Sequence, residues 1–552
     1  MEGNNSISGD SHGGDSTSRA KRLKPTRDRL SDLPDLALTH ILSHLYIEEA
    51  ARTAILSKRF NSIWNSVPVL NFSDENAGKV GEFFISFVDI ALKLHRRREI
   101  ERFSVQFGYD FMFSSPVDDW IEFAVKKQVK FLYLDLIEKC GKNRVRFPII
   151  EYKLPEFLYN NQNLVELVTN ACKFSTVWLI NWSSLKLLSV TRTKVDEELI
   201  SRVLSGCPVL ETLELREWIG FDKLKIESGS LRVLKIVEEK QPSYFVHPED
   251  NCFLEVSGPN LVSLEVSGSL YRTKLRLTDV GCLSNATMNF EIMPQNHGPK
   301  NSRYVVRDQD IIREVLGSLC FVKALTIGAL RYHPFCHASL SIIGRCLDVF
   351  IASNHLCLSS IDSTSRKYFC INIFLGAAVS TCEAYNLSFP WSERRSLTLC
   401  IPMLQWDHFG VASLLHSSPC LETLAIRLSY CSDTCALEHP FSNNCDEGYY
   451  WKSWSTISKC PLHHLKTVKV IGFLESCTSM KPLFQFLEFL LRNSSALLEI
   501  VIQASRYVTQ GTIDEALKLL DVPTASPDVV VQYEPSHLWV DPFNVHQKSA
   551  LV

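Results

Sequence analysis

Clusters of leucine recur along this chain at a nearly constant spacing. Leu164, Leu185, Leu210, Leu231 and Leu261 each open a short Leu-x-x-Leu or Leu-x-Leu cluster, at separations of 21, 25, 21 and 30 residues. A unit of this length has one apolar face that it cannot bury alone, so neighbouring units must stack. The spacing therefore predicts a solenoid in which each unit supplies a strand with its apolar side chains pointing inward.

One unit is visibly used twice. Residues 208–215 read Pro-Val-Leu-Glu-Thr-Leu-Glu-Leu, and residues 419–426 read Pro-Cys-Leu-Glu-Thr-Leu-Ala-Ile. The separations fit the 20 to 29 residues of a leucine-rich repeat, except the last, which is slightly long. An ordinary α/β core without repeats is the alternative, but it does not account for the duplication. We therefore predict an α/β fold with irregular repeats over residues 100–459, whose boundaries between about 280 and 400 stay open.

A segment with helical periodicity precedes the repeats. Leu38, Ile41, Leu42 and Leu45 follow i, i+3, i+4, i+7 spacing, and Pro34 suits the first turn of that helix. Two further helices are predicted over about 47–56 and 57–65. Three short helices have a small core and leave apolar side chains outside. Such a unit needs a partner, although a private three-helix core is the alternative.

The residues of this segment carry a family resemblance. Residues 28–35 read Asp-Arg-Leu-Ser-Asp-Leu-Pro-Asp, 41–45 Ile-Leu-Ser-His-Leu, 53–60 Thr-Ala-Ile-Leu-Ser-Lys-Arg-Phe, and 63–64 Ile-Trp before Val67-Pro68. In this order they resemble the F-box of plant F-box proteins, with His44 and Phe60 as departures from the usual pattern. The resemblance implies binding to a Skp1-like adaptor. The predicted adaptor-binding residues are Leu33, Pro34, Ile41, Leu42, Leu45, Leu56 and Trp64.

A second resemblance lies near the C-terminus. Residues 462–473 read Leu-His-His-Leu-Lys-Thr-Val-Lys-Val-Ile-Gly-Phe and are followed by an apolar helical face over 483–491. They are similar to the FBD module of many plant F-box and leucine-rich-repeat proteins. The predicted organisation is a tail with a basic cluster (1–27), the F-box (28–72), a linker helix (73–99), irregular repeats (100–459), an FBD-like module (460–530) and a second tail (531–552).

The composition of the N-terminal segment predicts disorder, and a cluster of basic residues follows it. Residues 1–18 are almost all Gly, Ser, Asn, Asp and Thr, and six cations follow between Arg19 and Arg29. Lys21, Arg22 and Lys24 are the candidate nuclear-import residues, and a solvated junction is the alternative. The N-terminus has no apolar leader, so we expect the nucleus, the cytoplasm or both. A formal net charge of -3 argues against a body that tracks nucleic acid or an anionic membrane.

Candidate chemical sites are weak. His40 and His44 have the spacing of a zinc-protease pair, but Ile41 stands where the general-base Glu must be. Cys431, Cys435, His439 and Cys445 have intervals that match no common zinc finger, and a loop with incidental thiols is the better interpretation. No phosphate-binding or nucleophile motif is present. We therefore expect no catalytic residue, no metal and no cofactor.

The family resemblance implies a function. The F-box would link the chain through a Skp1-like adaptor to a cullin and a RING protein, while the repeats hold a target protein. The chain would then be the specificity subunit of an SCF-type ubiquitin ligase, active by proximity and not by chemistry of its own. Two alternatives remain open: a non-proteolytic F-box scaffold, and a ligand-assisted receptor of the F-box and leucine-rich-repeat type.

Overall fold

The structure is a computed structural model. It describes most residues at the two ends of the repeat body and some of the residues in its middle. No helix in the described part has the length and hydrophobicity to cross a bilayer. The described residues are 30, 32–74, 81–137, 151–217, 223–237, 252–269, 273–291, 314–328, 391–401, 411, 414–428, 462–473, 481–504 and 516–534.

Three short helices open the described chain, as the periodicity predicts. They are α1 (Asp35–Ser43), α2 (Ile47–Arg52) and α3 (Lys58–Trp64), with a 3-10 turn over Thr53–Ile55 between the last two. Pro34 is the residue that caps α1 and not its first helical residue. The three helices bury a common apolar core made of Leu38, Leu42, Ile47, Ala50, Phe60, Ile63 and Trp64.

Strands make up most of the rest of the described chain. In chain order they are β1 (Val69–Ser73), β2 (Arg102–Gln106), β3 (Phe131–Asp135), β4 (Tyr152–Lys153), β5 (Glu166–Asn170), β6 (Cys172–Lys173), β7 (Leu187–Thr191), β8 (Thr212–Arg216), β9 (Lys223–Glu227), β10 (Val233–Val237), β11 (Cys252–Ser257), β12 (Ser263–Ser269), β13 (Thr273–Thr278), β14 (Asn285–Glu291), β15 (Ala324–Gly328), β16 (Ser396–Ile401), β17 (Thr423–Leu428), β18 (Thr467–Phe473), β19 (Glu499–Ala504) and β20 (Val530–Glu534).

One long parallel sheet carries the repeats. Among the described residues it has fifteen strands in the order β1-β2-β3-β5-β7-β8-β10-β12-β14-β15-β16-β17-β18-β19-β20, so each strand pairs with the next one of the same sheet along the chain. Strands β13, β11 and β9 form a second sheet, and β4 pairs with β6. Sequential parallel pairing is the topology of stacked units and not of a doubly wound core. The predicted α/β fold, with helices followed by a repeat solenoid, is confirmed.

The leucines that mark the repeats hold one fixed place. Leu164, Leu185, Leu210, Leu231 and Leu261 are all buried, and each lies two residues before a strand of the long sheet. Within a strand, apolar side chains alternate inward with side chains on the other, open face of the sheet. In the part of the chain that the structure describes, four longer helices accompany the strands: α4 (Glu82–Leu94), α5 (Ser114–Lys126), α6 (Glu197–Gly206) and α7 (Lys481–Asn493).

The helical segment and the repeats share one sheet. The first four residues of strand β1 lie inside the range predicted as the F-box, yet the strand pairs with β2 along its whole length, from Val69 with Arg102 to Ser73 with Gln106. The ring of His95 hydrogen bonds through Nε2 to the carbonyl oxygen of Val67 at 3.0 Å. The three helices are therefore joined directly to the first repeats by hydrogen bonds and a common core.

The predicted linker helix is present as α4. A helix on the surface of a repeat body buries one stripe only, so Phe83 and Leu94, which lie off that stripe, are exposed. Its buried residues are Phe84, Ile85, Val88, Ala91 and Leu92.

The segment resembling an FBD module continues the long sheet. Strands β18 and β19 pair in parallel and flank α7 along the chain, and β19 pairs with β20, which is the last described strand. The described residues between 462 and 530 therefore extend the repeat body. Their assignment as an FBD-like module stays a prediction.

Candidate functional site: an exposed aliphatic surface and the open face of the sheet

The first candidate site is the set of exposed aliphatic side chains on the N-terminal helices. Ile55 is 89% exposed, Leu36 is 85% exposed and Leu56 is 64% exposed. These residues lie on α1 and on the turn between α2 and α3, and both elements contact α3. Large apolar side chains left in water are typical of an interaction surface. We call Leu36, Ile41, Ile55 and Leu56 the aliphatic surface.

The predicted adaptor-binding residues divide between this surface and the interior. Pro34, Ile41 and Leu56 are exposed, while Leu33 and Leu45 are half-buried against the core. Leu42 is 3% exposed and Trp64 is 7% exposed. These two were expected to form part of the surface, but they belong to the internal core and cannot present their side chains to a partner in this conformation.

Helix geometry explains that difference. In α1, Leu38 and Leu42 are four residues apart and share the buried face, whereas Ile41 lies a quarter-turn away and is half exposed. Leu36 and Ile55 were missing from the predicted set. Leu36 could have been found from the sequence, because it is out of phase with the buried stripe of α1, whereas Ile55 lies in a 3-10 turn to which this periodicity does not apply.

An arginine fixes the start of the first helix beside this surface. Arg59 on α3 donates from Nε to Asp35 Oδ1 at 2.7 Å and from a terminal nitrogen to the Leu33 carbonyl oxygen at 2.5 Å. A fixed guanidinium bridging two segments far apart in sequence holds the entry to α1 against α3. The half-buried Leu33 and the exposed Pro34 are thereby held in place.

The second candidate site is the open face of the long sheet. Near its N-terminal end the guanidinium carbon of Arg102 lies 5.3 Å from the ring centroid of Phe131 and 5.1 Å from that of Tyr133. The Tyr133 hydroxyl donates to Glu166 Oε2 at 2.9 Å. Burial, together with this carboxylate, raises the pKa of Tyr133 to about 12. The phenol stays protonated at neutral pH and acts as a hydrogen-bond donor.

A charged cluster lies farther along the same face. Glu214 on β8 pairs with Lys235 Nζ at 2.8 Å and with Arg216 Nε at 3.4 Å, and it accepts from the Ser189 hydroxyl at 3.2 Å. Burial opposes the charge of Glu214, but the two cations outweigh it and hold the pKa of the carboxyl below its usual value. These side chains form a paired polar cluster on the open face, and Lys235 and Arg216 remain partly exposed there.

The structure gives little support to the candidate metal-binding residues. The Nε2 atoms of His40 and His44 are 3.4 Å apart on the exposed side of α1. Within the described ranges, no group of three or more His, Cys, Asp or Glu side chains could hold a metal ion. Cys431, Cys435, His439 and Cys445 lie outside the described residues, as do Lys21, Arg22 and Lys24.

Two family models match the chain. The F-box domain model matches residues 30–72, which contain all of the aliphatic surface and β1 up to its fourth residue. The model described as "FBD-associated F-box protein At5g56370, LRR repeats" matches residues 117–277. That range covers α5 from Val117 onward and the strands of the long sheet from β3 to β12, with all the polar residues named on the open face except Arg102.

Relatives of similar length carry the same combination. The chain is 24% identical to F-box/LRR-repeat protein At5g02910 of Arabidopsis thaliana, over 93% of this chain and 96% of the relative. It is 23% identical to F-box/LRR-repeat protein At3g59200 of the same plant, over 92% and 88%. A third, F-box/LRR-repeat protein At3g03360, is 28% identical over 56% of this chain and 63% of the relative. The likeness to two of the three thus extends over nearly the whole chain.

Proposed function

We propose that this F-box and leucine-rich-repeat protein is the substrate-recognition subunit of an SCF-type ubiquitin ligase. The observation that carries the proposal is the aliphatic surface within the segment that the F-box model matches. An F-box implies a Skp1-like adaptor as its partner, and through the adaptor a cullin and a RING protein. A mostly apolar surface of this kind is suited to such docking, because burying it removes Leu36, Ile55 and Leu56 from water.

The repeat body supplies the second contact. Its open face offers the Arg102, Tyr133 and Glu166 group and the Glu214 cluster as fixed polar features, and we propose that a target protein binds there. The chain needs no reacting group in this role. Holding a target lysine near an activated ubiquitin raises its effective concentration, and proximity of this kind lowers the entropic part of the barrier.

The proposal is tested first at the adaptor. Ile55→Asp with Leu56→Asp places two charges on the aliphatic surface and should abolish pull-down of a Skp1-like adaptor. The matched control is Val177→Asp with Leu179→Asp, since these two aliphatic residues of the repeat body are equally exposed. The control should bind the adaptor as the unmodified chain does. Adaptor pull-down that survives in the first variant would contradict the proposal.

Binding of the target protein needs a separate measurement. The Ile55→Asp, Leu56→Asp variant should still bind its target, so proximity labelling should recover the same proteins as the unmodified chain. Those proteins should accumulate and have longer half-lives when the variant is expressed, by competition for the target. A target that is bound but keeps an unchanged half-life and ubiquitination would favour the non-proteolytic scaffold.

We also propose the nucleus, the cytoplasm or both as the site of action. The six cations between residues 19 and 29 support import of the chain into the nucleus. Replacing Lys21, Arg22 and Lys24 by Ala in a fluorescent fusion should move the chain toward the cytoplasm. An unchanged distribution would assign the cluster to a solvated junction.

A further inference from the structure

One buried position in the repeat body breaks the rule that the others follow. The residue two places before a strand of the long sheet is a buried aliphatic in every other described repeat up to β19, but before β16 it is Arg394. The last strand, β20, is preceded there by Asp528, which is exposed at the end of the sheet. The aliphatic residues at this position are Val67, Ile100, Val129, Leu164, Leu185, Leu210, Leu231, Leu261, Leu283, Val322, Leu421, Leu465 and Leu497.

Arg394 is as deeply buried as the leucines it replaces. Its exposure is 1%, and its Nε and NH1 atoms have no hydrogen-bond partner. Burial lowers the pKa of the guanidinium to about 10, which still leaves it protonated at neutral pH. No ion pair to Arg394 is formed by any residue that the structure describes.

The Glu214 cluster shows what a buried charge on this sheet normally requires. Glu214 is 9% exposed, less deeply buried than Arg394, yet it has two cations and a hydroxyl around it. Moving an ion from water into the protein interior without a counterion costs more free energy than hydrogen bonds elsewhere recover. Arg394 therefore lacks a partner of opposite charge that its environment demands.

The turns around Arg394 hold its backbone in place. The backbone N–H of Ser392 donates to the Ser417 carbonyl oxygen at 2.9 Å, and the N–H of Glu393 donates to the Cys320 carbonyl oxygen at 3.2 Å. Ser392, Ser417 and Ser418 are buried near it. The segment is thus tied to the repeats on both sides, and the guanidinium is carried on a fixed frame.

We propose that Arg394 anchors a binding site for a small oxyanion, a phosphate or a carboxylate, within the repeat body. A guanidinium recognises both groups through charge-assisted hydrogen bonds, which are stronger than neutral ones. The anion supplies the charge and the acceptors that Nε and NH1 lack. The site is distinct from the aliphatic surface and from the polar groups of the open face, because Arg394 lies in the buried position before β16.

Thermal unfolding of the full chain tests the site, with inorganic phosphate as the probe and chloride at equal ionic strength as the reference. Phosphate should raise the Tm of the unmodified chain in a saturable way, as mass action requires of a ligand that binds the folded state. Arg394→Leu should have the higher Tm in chloride, because it removes an unpaired buried charge, and should lose the saturable response. Arg232→Leu is the matched control, because Arg232 is an exposed arginine at the start of another repeat strand, and it should respond as the unmodified chain does.

A second variant and a direct measurement guard against a folding defect. Arg394→Lys keeps the charge but loses the planar donors, and it should weaken phosphate binding by about tenfold in isothermal titration. Acetate in place of phosphate separates a general carboxylate site from a phosphate site, and a response to either anion supports the proposal. Equal phosphate shifts in the unmodified chain and in Arg394→Leu would be the general stabilisation that excluded anions give and would overturn it. Absence of binding heat for both anions on the unmodified chain would overturn it as well.

Discussion

At the scale of single residues, Gly206 is the position where one added methyl should be costly. A Cβ at Gly206 would lie 2.2 Å from the carbonyl oxygen of Ile180, which is backbone and cannot move aside as a side chain would. The Gly206 carbonyl oxygen also accepts from the N–H of Trp182 at 3.0 Å. Gly206→Ala should therefore lower the free energy of unfolding by about 1 to 3 kcal/mol or more, as overpacking does.

The control for this prediction lies in a neighbouring repeat. A Cβ at Gly229 would meet no atom within 4 Å. Gly229→Ala should leave the free energy of unfolding within about 0.5 kcal/mol of the unmodified value. Denaturant unfolding of the two variants checks the comparison, and equal effects would contradict it.

His95 should make stability depend on pH. Its pKa is lowered chiefly by burial, with Lys127 and Arg97 adding to the effect, while the hydrogen bond to Val67 opposes it. The unfolded chain binds a proton at this residue below about pH 6.5, whereas the folded chain resists it. The unfolded state therefore holds more protons as the pH falls, and stability should decrease from about pH 7 to about pH 5.

Replacement of His95 isolates this contribution. His95→Gln removes the titration and keeps an N–H that can donate to the Val67 carbonyl oxygen, so its stability should change less between those two pH values. His44→Gln, at an exposed histidine, should retain the slope of the unmodified chain. Unfolding free energies at several pH values decide the point, and parallel curves for the two variants would refute it.

At the scale of elements, the end of helix α5 is a place where the sequence is not optimal. Gln128 has a φ of 56°, its N–H donates to the Val125 carbonyl oxygen at 3.0 Å, and the Val129 N–H donates to the Ala124 carbonyl oxygen at 3.1 Å. This is the hydrogen-bond pattern of a Schellman motif, in which glycine usually occupies the left-handed position. Gln128→Gly should therefore raise the free energy of unfolding by about 0.5 to 1 kcal/mol.

A matched substitution separates backbone from side-chain effects at this position. Gln128→Ala removes the same exposed side chain but keeps a Cβ, so it should bring no gain. Thermal unfolding of both variants measures the difference. If alanine and glycine stabilise equally, the left-handed backbone is not the cause.

The elements also show which parts of the fold can be read from the sequence. The strands after Leu164, Leu185, Leu210, Leu231 and Leu261 were predictable because an aliphatic residue at a fixed place drives each one inward. Strand β16 was not, since Arg394 stands at that place. Which residues of the helical segment are buried and which are exposed was only partly predictable. Periodicity located α1, but the burial of Trp64 depends on packing between helices that are distant in sequence. The contact between β1 and β2 has no local signal either.

At the scale of the whole molecule, the sheet should be intolerant of truncation. A fragment ending at Arg216 exposes the hydrogen-bonding edge of β8 and the core beside Leu213 and Leu215, which β10 covers in the full chain. A fragment beginning at residue 74 removes β1 and exposes the edge of β2 in the same way. Unprotected edges and apolar ends promote aggregation. Both fragments should sediment as aggregates at concentrations at which the full chain stays soluble.

The shared strand β1 also limits how such proteins can be recombined. If this F-box is fused to a foreign repeat array with the junction just before β1, the first strand of that array has no matched strand of the F-box beside it. The exchangeable piece is instead the block from α1 through β2, because it keeps the pairing of Val69 with Arg102 and the hydrogen bond between His95 and Val67. Chimeras with a junction inside that block should be expressed poorly, even where the specificity for a target protein is kept.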